Sequence, residues 1–277
     1  MSRLAAAATA LAAISSAALA AISSPALSSG AAPAAAKLAA AMPATARTPV
    51  LVELFTSEGC SSCPPADAVL ARLVREQPID GVEVIGLGEH VDYWNNLGWK
   101  DPFSAHAFTE RQERYAAGMG TGRIYTPQAM VAGQLDVLGS DEDGIRKAAL
   151  SLRDRPRGTL SVAQVETGGT LSAKLTAKDL PEHAGVEVLV ALVEDGLVSE
   201  VTAGENSGRT LPHAAVVRTL SRLGDASGAG FERDLRLKLD PSWRRGSLRL
   251  VAFVQEREGG RVLAAGEWPL PGGQPGR

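Results

Sequence analysis

The order of apolar segments predicts an α/β domain over residues 48–155, followed by an all-β, sandwich-like domain over 156–268. Three observations carry that expectation. The two cysteines of the chain stand as Cys60-Ser61-Ser62-Cys63, between an apolar run at 50–55 and an amphipathic stretch at 65–76. A Thr126-Pro127 step opens two short apolar segments, 128–131 and 135–138, joined by a turn at Gly133-Gln134. Beyond Arg155 the chain breaks into short, often alternating segments punctuated by Gly-Gly, Asp-Gly and Asp-Pro pairs, the pattern of strands joined by turns.

The run Val50-Leu51-Val52-Glu53-Leu54-Phe55 reads as a buried strand. Residues 65–76 read as a helix whose apolar face is Ala68, Leu70, Ala71, Leu73 and Val74. Residues 82–87 are a second strand. An irregular, aromatic-rich stretch follows at 90–100 (HVDYWNNLGWK). Asp101-Pro102 has the chemistry of a helix start, an N-cap acid followed by proline at the first helical position, and Gly118 ends that helix. The 128–138 hairpin comes next. A last helix, capped by Ser140 with Asp143 three residues on, runs to about Arg153. The order is β, CxxC, α, β, α, X-Pro, β, β, α, which is a thioredoxin-like order. In such a fold a cis-proline faces the cysteines, and Thr126-Pro127 holds that place. In the second half, strands are expected at 159–166, 170–177, 186–194, 231–239, 248–255 and 261–267. The stretch 203–223, polar and then briefly apolar, is left without an element.

The 277 residues carry a net charge of −3, with 45% hydrophobic and 4% aromatic residues. The core is therefore mainly aliphatic, and with no long basic run nucleic-acid binding is not expected. Residues 1–22 have the pattern of an export signal: Arg3, a charge-free Ala-rich stretch, then Ala18-Leu19-Ala20 as a small-residue cleavage site. The alternative is an uncleaved membrane anchor. Residues 23–47 read as a Ser/Ala/Pro-rich linker, and 269–277 as a flexible tail. The expected location is periplasmic or secreted, where disulfides persist.

A cysteine pair at a strand–helix junction is placed for thiol–disulfide exchange. The helix N-terminus stabilises a thiolate, and the second thiol can resolve a mixed disulfide. Cys60 is the expected attacking and more exposed thiol, Cys63 the resolving one. The alternative is a permanent structural disulfide. No metal is expected, since no further cysteines exist and the histidines are scattered. Because Pro64-Pro65 follow directly, the helix is expected to begin only there, leaving Cys60 on the preceding loop. Three further groups are candidates. Thr126 and Pro127 can position an extended peptide, the Thr126 backbone pairing with it as an added strand. His90, Asp92 and Trp94 follow the second strand; His90 can move a proton, Asp92 can orient it, and Trp94 with Trp99 can wall a peptide groove or instead seal packing. Glu205, Asn206, Arg209 and His213 either clamp a neighbour or form a structural turn.

Several of these motifs together resemble one family. They are Phe55-Thr56-Ser57-Glu58-Gly59 leading into Cys60-Ser61-Ser62-Cys63-Pro64-Pro65-Ala66-Asp67, then His90-Val91-Asp92-Tyr93-Trp94, Leu97-Gly98-Trp99-Lys100-Asp101, and Tyr125-Thr126-Pro127-Gln128. Glu205-Asn206, Gly208-Arg209-Thr210-Leu211 and His213 complete the set. They are similar to the exported bacterial family catalogued as domain of unknown function 1223. The resemblance covers about 48–268 and implies a thioredoxin-like domain in an exported protein. It implies no reaction. The expected activity therefore rests on the cysteines: exchange with protein or small thiol and disulfide substrates and a redox partner protein, without a cofactor. The alternative is a non-enzymatic binding or envelope protein.

Overall fold

The computed structural model describes residues 47–167 and 169–270, with side chains described for all of these except 165–167. The expected leader at 1–22 lies outside the described residues, as do nearly all of the expected linker and residues 271–277 of the expected tail. In chain order the elements are β1 (Thr48–Thr56), α1 (Pro64–Glu76), β2 (Val82–His90), α2 (His106–Gly118), β3 (Gln128–Val131), β4 (Leu135–Leu138) and α3 (Glu142–Leu152). There follow β5 (Thr159–Thr167), β6 (Thr170–Lys178), β7 (Val186–Glu194), β8 (Leu197–Val201), β9 (Arg209–His213), β10 (Val216–Ala226), β11 (Phe231–Lys238), β12 (Leu248–Glu256) and β13 (Val262–Pro269).

A thioredoxin-like α/β domain followed by a separate β-sandwich is not the fold. The sheet expected within residues 48–155 continues into the second half of the chain. Its order is β13-β12-β7-β10-β2-β1-β3-β4, one mixed sheet of eight strands. β1 and β2 run parallel, while β3 and β4 add antiparallel strands beside β1. The two halves meet at β10, whose Val216 pairs in parallel with Gly88 of β2, and the Gly88 N–H donates to Ala215 O at 2.6 Å. β10 falls in the stretch to which the sequence assigned nothing. Its pairing with β7 shifts register twice, between Val217 and Thr219 and between Arg222 and Gly224. Each bulge inserts an extra residue and breaks the alternation by which a strand is recognised. Three strands form a second sheet, β11-β6-β5, and β8 pairs only with β9.

β7 shows why the large sheet is the centre of the molecule. Its sequence VEVLVALVE is almost wholly buried, as expected of a strand covered on both faces. Leu189, Ala191 and Val193 join the core shared with α1, α3, β1 and β2. Val188, Val190 and Leu192 join the core beneath β6 and β11.

A buried polar group crosses between the halves. Arg111 of α2 donates from Nε to Glu53 of β1 at 2.5 Å and from Nη2 to Tyr115 Oη at 2.8 Å and Gln255 of β12 at 3.0 Å. Tyr115 in turn donates to Glu53. Glu89 of β2 lies beside them, buried, with Oε1 3.6 Å from Arg111 Nε.

Candidate functional site

The cysteines sit on the connection from β1 to α1. The chain turns twice: Cys60 N–H donates to Ser57 O and Cys63 N–H to Cys60 O, both at 3.2 Å. Cys63 is then the N-cap of α1, its carbonyl accepting from Ala66 N–H at 2.8 Å and Asp67 N–H at 3.0 Å. The helix begins at Pro64, as Pro64-Pro65 require, although Cys63 keeps a helical conformation (φ −78°, ψ −38°) before the proline. Cys60 and Cys63 are joined in a disulfide. Both are 0% exposed, so Cys60 is not the solvent-facing member of the pair that its position suggested. Ser61 and Ser62 between them are exposed.

Beside this loop lies a group of acids and histidines. Glu58, itself 1% exposed, accepts the Trp99 indole N–H at 2.7 Å through Oε2, and its Oε1 lies 3.0 Å from His213 Nε2. Asp101 Oδ2 lies 2.7 Å from His90 Nδ1 and accepts the Glu58 N–H at 2.9 Å. The His90, His213 and Phe103 rings stack edge to face with centroids 5.2–5.4 Å apart, a favoured aromatic geometry. Burial alone would pull the His90 imidazole down; the contact with Asp101 outweighs it and its pKa stands above the ordinary value. Burial works the other way on Asp101, and His90 with the hydrogen bonds it accepts holds its carboxyl below the usual range. Asp67, in the first turn of α1, accepts from Thr56 Oγ1 at 2.8 Å, yet burial pushes its pKa up.

Asp92 does not orient His90. Its carboxylate accepts from Thr109 Oγ1 at 2.6 Å and lies 3.1 Å from His106 Nδ1 on α2. The orienting acid is Asp101, read from sequence as a helix N-cap. The helix starts five residues later, and Asp101 instead closes a turn onto Phe103 N–H at 2.8 Å.

Trp94 links the two other expected elements. Its indole N–H donates to Thr126 Oγ1 at 2.8 Å. Its Cβ leaves no room beside the cysteine loop: a Cβ on Gly59 would lie 3.0 Å from it. The Thr126–Pro127 bond is cis.

The loop between β8 and β9 reaches the cysteine turn from the other half of the chain. Asn206, 0% exposed, donates from Nδ2 to Glu58 O at 2.8 Å and to Cys60 O at 3.0 Å. Glu205 Oε2 accepts the Ser61 N–H at 3.0 Å, and the Ser61 side chain together with this backbone bond holds the Glu205 carboxyl below its usual range. Arg209 fixes Asn206, donating to Oδ1 at 2.8 Å. So Glu205, Asn206, Arg209 and His213 all close on the cysteine loop, directly or through one neighbour.

The family model described as "Protein of unknown function (DUF1223)" matches residues 51–255, a span holding both the cysteine loop and the loop that covers it. The chain belongs to the DUF1223 family. Its fold is similar to that of protein AGR_C_4864 from Agrobacterium tumefaciens, with TM-score 0.63 and 25% identity over 80% of this chain and 94% of that one. Two partial likenesses are a DUF3823 family protein from Bacteroides ovatus (TM-score 0.26, 12% identity, 40% of this chain and 54% of that one) and the E. coli curli protein CsgC (TM-score 0.22, 12% identity, 40% and 98%). No curated protein matches.

In this DUF1223 chain a groove of about 1240 Å3 begins beside the site, where Pro64, Asp67 and His213 line it, and runs along α1 toward Arg249 and Trp268. Two residues of the site carried no role in the sequence reading: Asp67, and Asp101 in its contact with His90. Asp67 had a legible signal, lying four residues after Cys63 in the first helical turn. Asp101 had none, because its partners are set by loop closure.

Proposed function

We propose that this DUF1223 protein is a thiol–disulfide exchange protein acting through Cys60 and Cys63. The observation that carries this reading is the position of the disulfide: Cys63 caps a 13-residue helix, with Glu58, Asp67, His90, Asp101 and His213 gathered about the same loop. A partner thiolate attacks Cys60 Sγ; the Cys60–Cys63 bond breaks, and its electron pair leaves on Cys63 as a thiolate. The positive end of α1 favours that leaving group. The second thiol of the partner, once ionised, attacks its own sulfur in the mixed disulfide, and Cys60 leaves as a thiolate. The partner dithiol is oxidised to a disulfide, the Cys60–Cys63 pair is reduced, and the two protons lost by the partner end on the two cysteines. His90 and His213 are the nearby groups able to pass them. No cofactor takes part. Trp94, Thr126 and Pro127 form the wall against which a peptide substrate lies. Export through residues 1–22 places the reaction in an oxidising compartment, with a redox partner protein restoring the disulfide.

A second reading has its own observation. Both cysteines are wholly buried, as a structural disulfide in a binding or envelope protein would be. The reduction potential separates the two. A value above about −300 mV, in the range of exchange enzymes, supports exchange; a lower one assigns the disulfide to structure and overturns the proposal.

A further inference from the structure

We propose that the β8–β9 loop, residues 202–208, is a latch that must lift before either sulfur can be attacked. The inference rests on the exchange reading for its purpose, though not for its test. Cys60 and Cys63 are 0% exposed although the serines between them are at the surface. Three hydrogen bonds tie the loop to the cysteine turn: Glu205 to the Ser61 N–H, and Asn206 to the carbonyls of Glu58 and Cys60. Thiol–disulfide exchange requires access to a sulfur; both cysteines are buried, and the loop is fastened to the turn that carries them.

The loop is built to move as one piece. Gly208 N–H donates to Val201 O at 2.8 Å, Ser207 N–H to Gly204 O at 3.2 Å and Ser207 Oγ to Thr202 O at 3.1 Å. Besides the cysteine turn, the loop rests on Trp99: a Cβ on Gly204, at φ +72°, would be 3.1 Å from the Trp99 Cβ, so lifting must also part this contact. The hold on the cysteine turn is made of side-chain bonds alone, and the Glu205 bond faces water. Among the described residues β8 and β9 pair only with each other, so lifting the loop leaves the ladders of both larger sheets intact.

The test is the second-order rate at which dithiothreitol reduces the Cys60–Cys63 disulfide, read by alkylation and mass. It is measured in the full chain and in Glu205→Ala and Asn206→Ala, with circular dichroism checking each fold. Reduction should speed up about threefold in Glu205→Ala and about tenfold in Asn206→Ala, in keeping with the loss of one and two hydrogen bonds. Wild-type rates in the folded variants would overturn the latch. If Asn206→Ala does not fold, Glu205→Ala, altered at an exposed side chain, decides alone. The reduction potential keeps the two proposals apart. Faster reduction of the variants with a wild-type potential below about −300 mV leaves the latch standing and removes exchange. An exchange-range potential with unchanged rates removes the latch and leaves exchange.

Discussion

Asp101 Oδ2 lies 2.7 Å from His90 Nδ1 and also accepts the Glu58 N–H at 2.9 Å, so one carboxylate oxygen ties the end of β2 to the loop that carries the disulfide. The pair is buried, and breaking a buried pair by removing one charge costs about 3 kcal/mol or more. Asp101→Asn should therefore destabilise the fold by roughly that amount. The pH dependence has two limbs. Asp101 titrates below its ordinary 3.8 in the fold, so its contribution is present above 3.8 and is lost as pH falls through the folded value. His90 titrates above its ordinary 6.5, so its contribution is complete below 6.5 and is lost as pH rises through the folded value. Urea unfolding across pH should show both limbs in the native protein, while Asp101→Asn should lack the acid limb and change the one due to His90. NMR should place the His90 pKa of the variant below that of the native protein, since the Asp101 charge and hydrogen bond are lost while burial remains.

Glu53 and Glu89 share a single buried guanidinium, Arg111, which lies against Glu53 at 2.5 Å but only 3.6 Å from Glu89. Burial, together with the Glu53 charge, raises the Glu89 carboxyl well above its ordinary 4.5 despite Arg111 and Arg114. The folded state then binds a proton that the unfolded state releases, so stability falls as pH rises from 4.5 toward the folded value. Glu89→Gln should flatten that slope and leave the protein at least as stable at pH 7. A steeper slope, or a large loss of stability, would contradict a protonated Glu89.

Trp94 holds Thr126 through one indole bond, 2.8 Å long, and packs on Gly59. Trp94→Phe keeps a ring and removes the donor. On the proposed exchange reading, it should slow exchange with a peptide disulfide about tenfold while changing exchange with oxidised glutathione less than about threefold, because only the larger partner uses the wall. Equal losses on both substrates would assign Trp94 to packing.

Gly133 tests the contact between the halves away from the site. It sits at φ +68°, and a Cβ there would come 2.3 Å from Gly260 O in the β12–β13 turn. Gly133→Ala combines a strained backbone with a clash against main chain, and should cost about 2 kcal/mol or more. A thermal melt equal to that of the native protein would show that the turn yields freely.

Most elements of this chain were legible because their apolar periods are clean. Pro64–Glu76 and Val186–Glu194 lie within a residue of where the pattern puts them. The joining of the halves was not legible. It depends on β10, whose two bulges scramble its alternation, and on Gly88, whose contact with Ala215 bridges 127 residues of sequence by a single hydrogen bond. In the site, Cys60 and Cys63 announce themselves by spacing. His213 and Asn206 stood out with Glu205 and Arg209 as a possible clamp, but what they hold, Glu58 and the Cys60 carbonyl, is brought near only by the complete fold.

Ser61 and the carboxylate that binds it, Glu205, are 144 residues apart. A ribosome makes them in that order, so the cysteine turn is finished long before its cover exists. At synthesis rates of about 5–20 residues per second, that interval lasts on the order of ten seconds. Until residue 205 has joined the chain the Ser61–Glu205 bond cannot form; in the finished molecule both cysteines are buried. Closing the disulfide for the first time and reopening it in the finished molecule are therefore different problems, and an oxidant competent for the nascent chain need not act on the mature one.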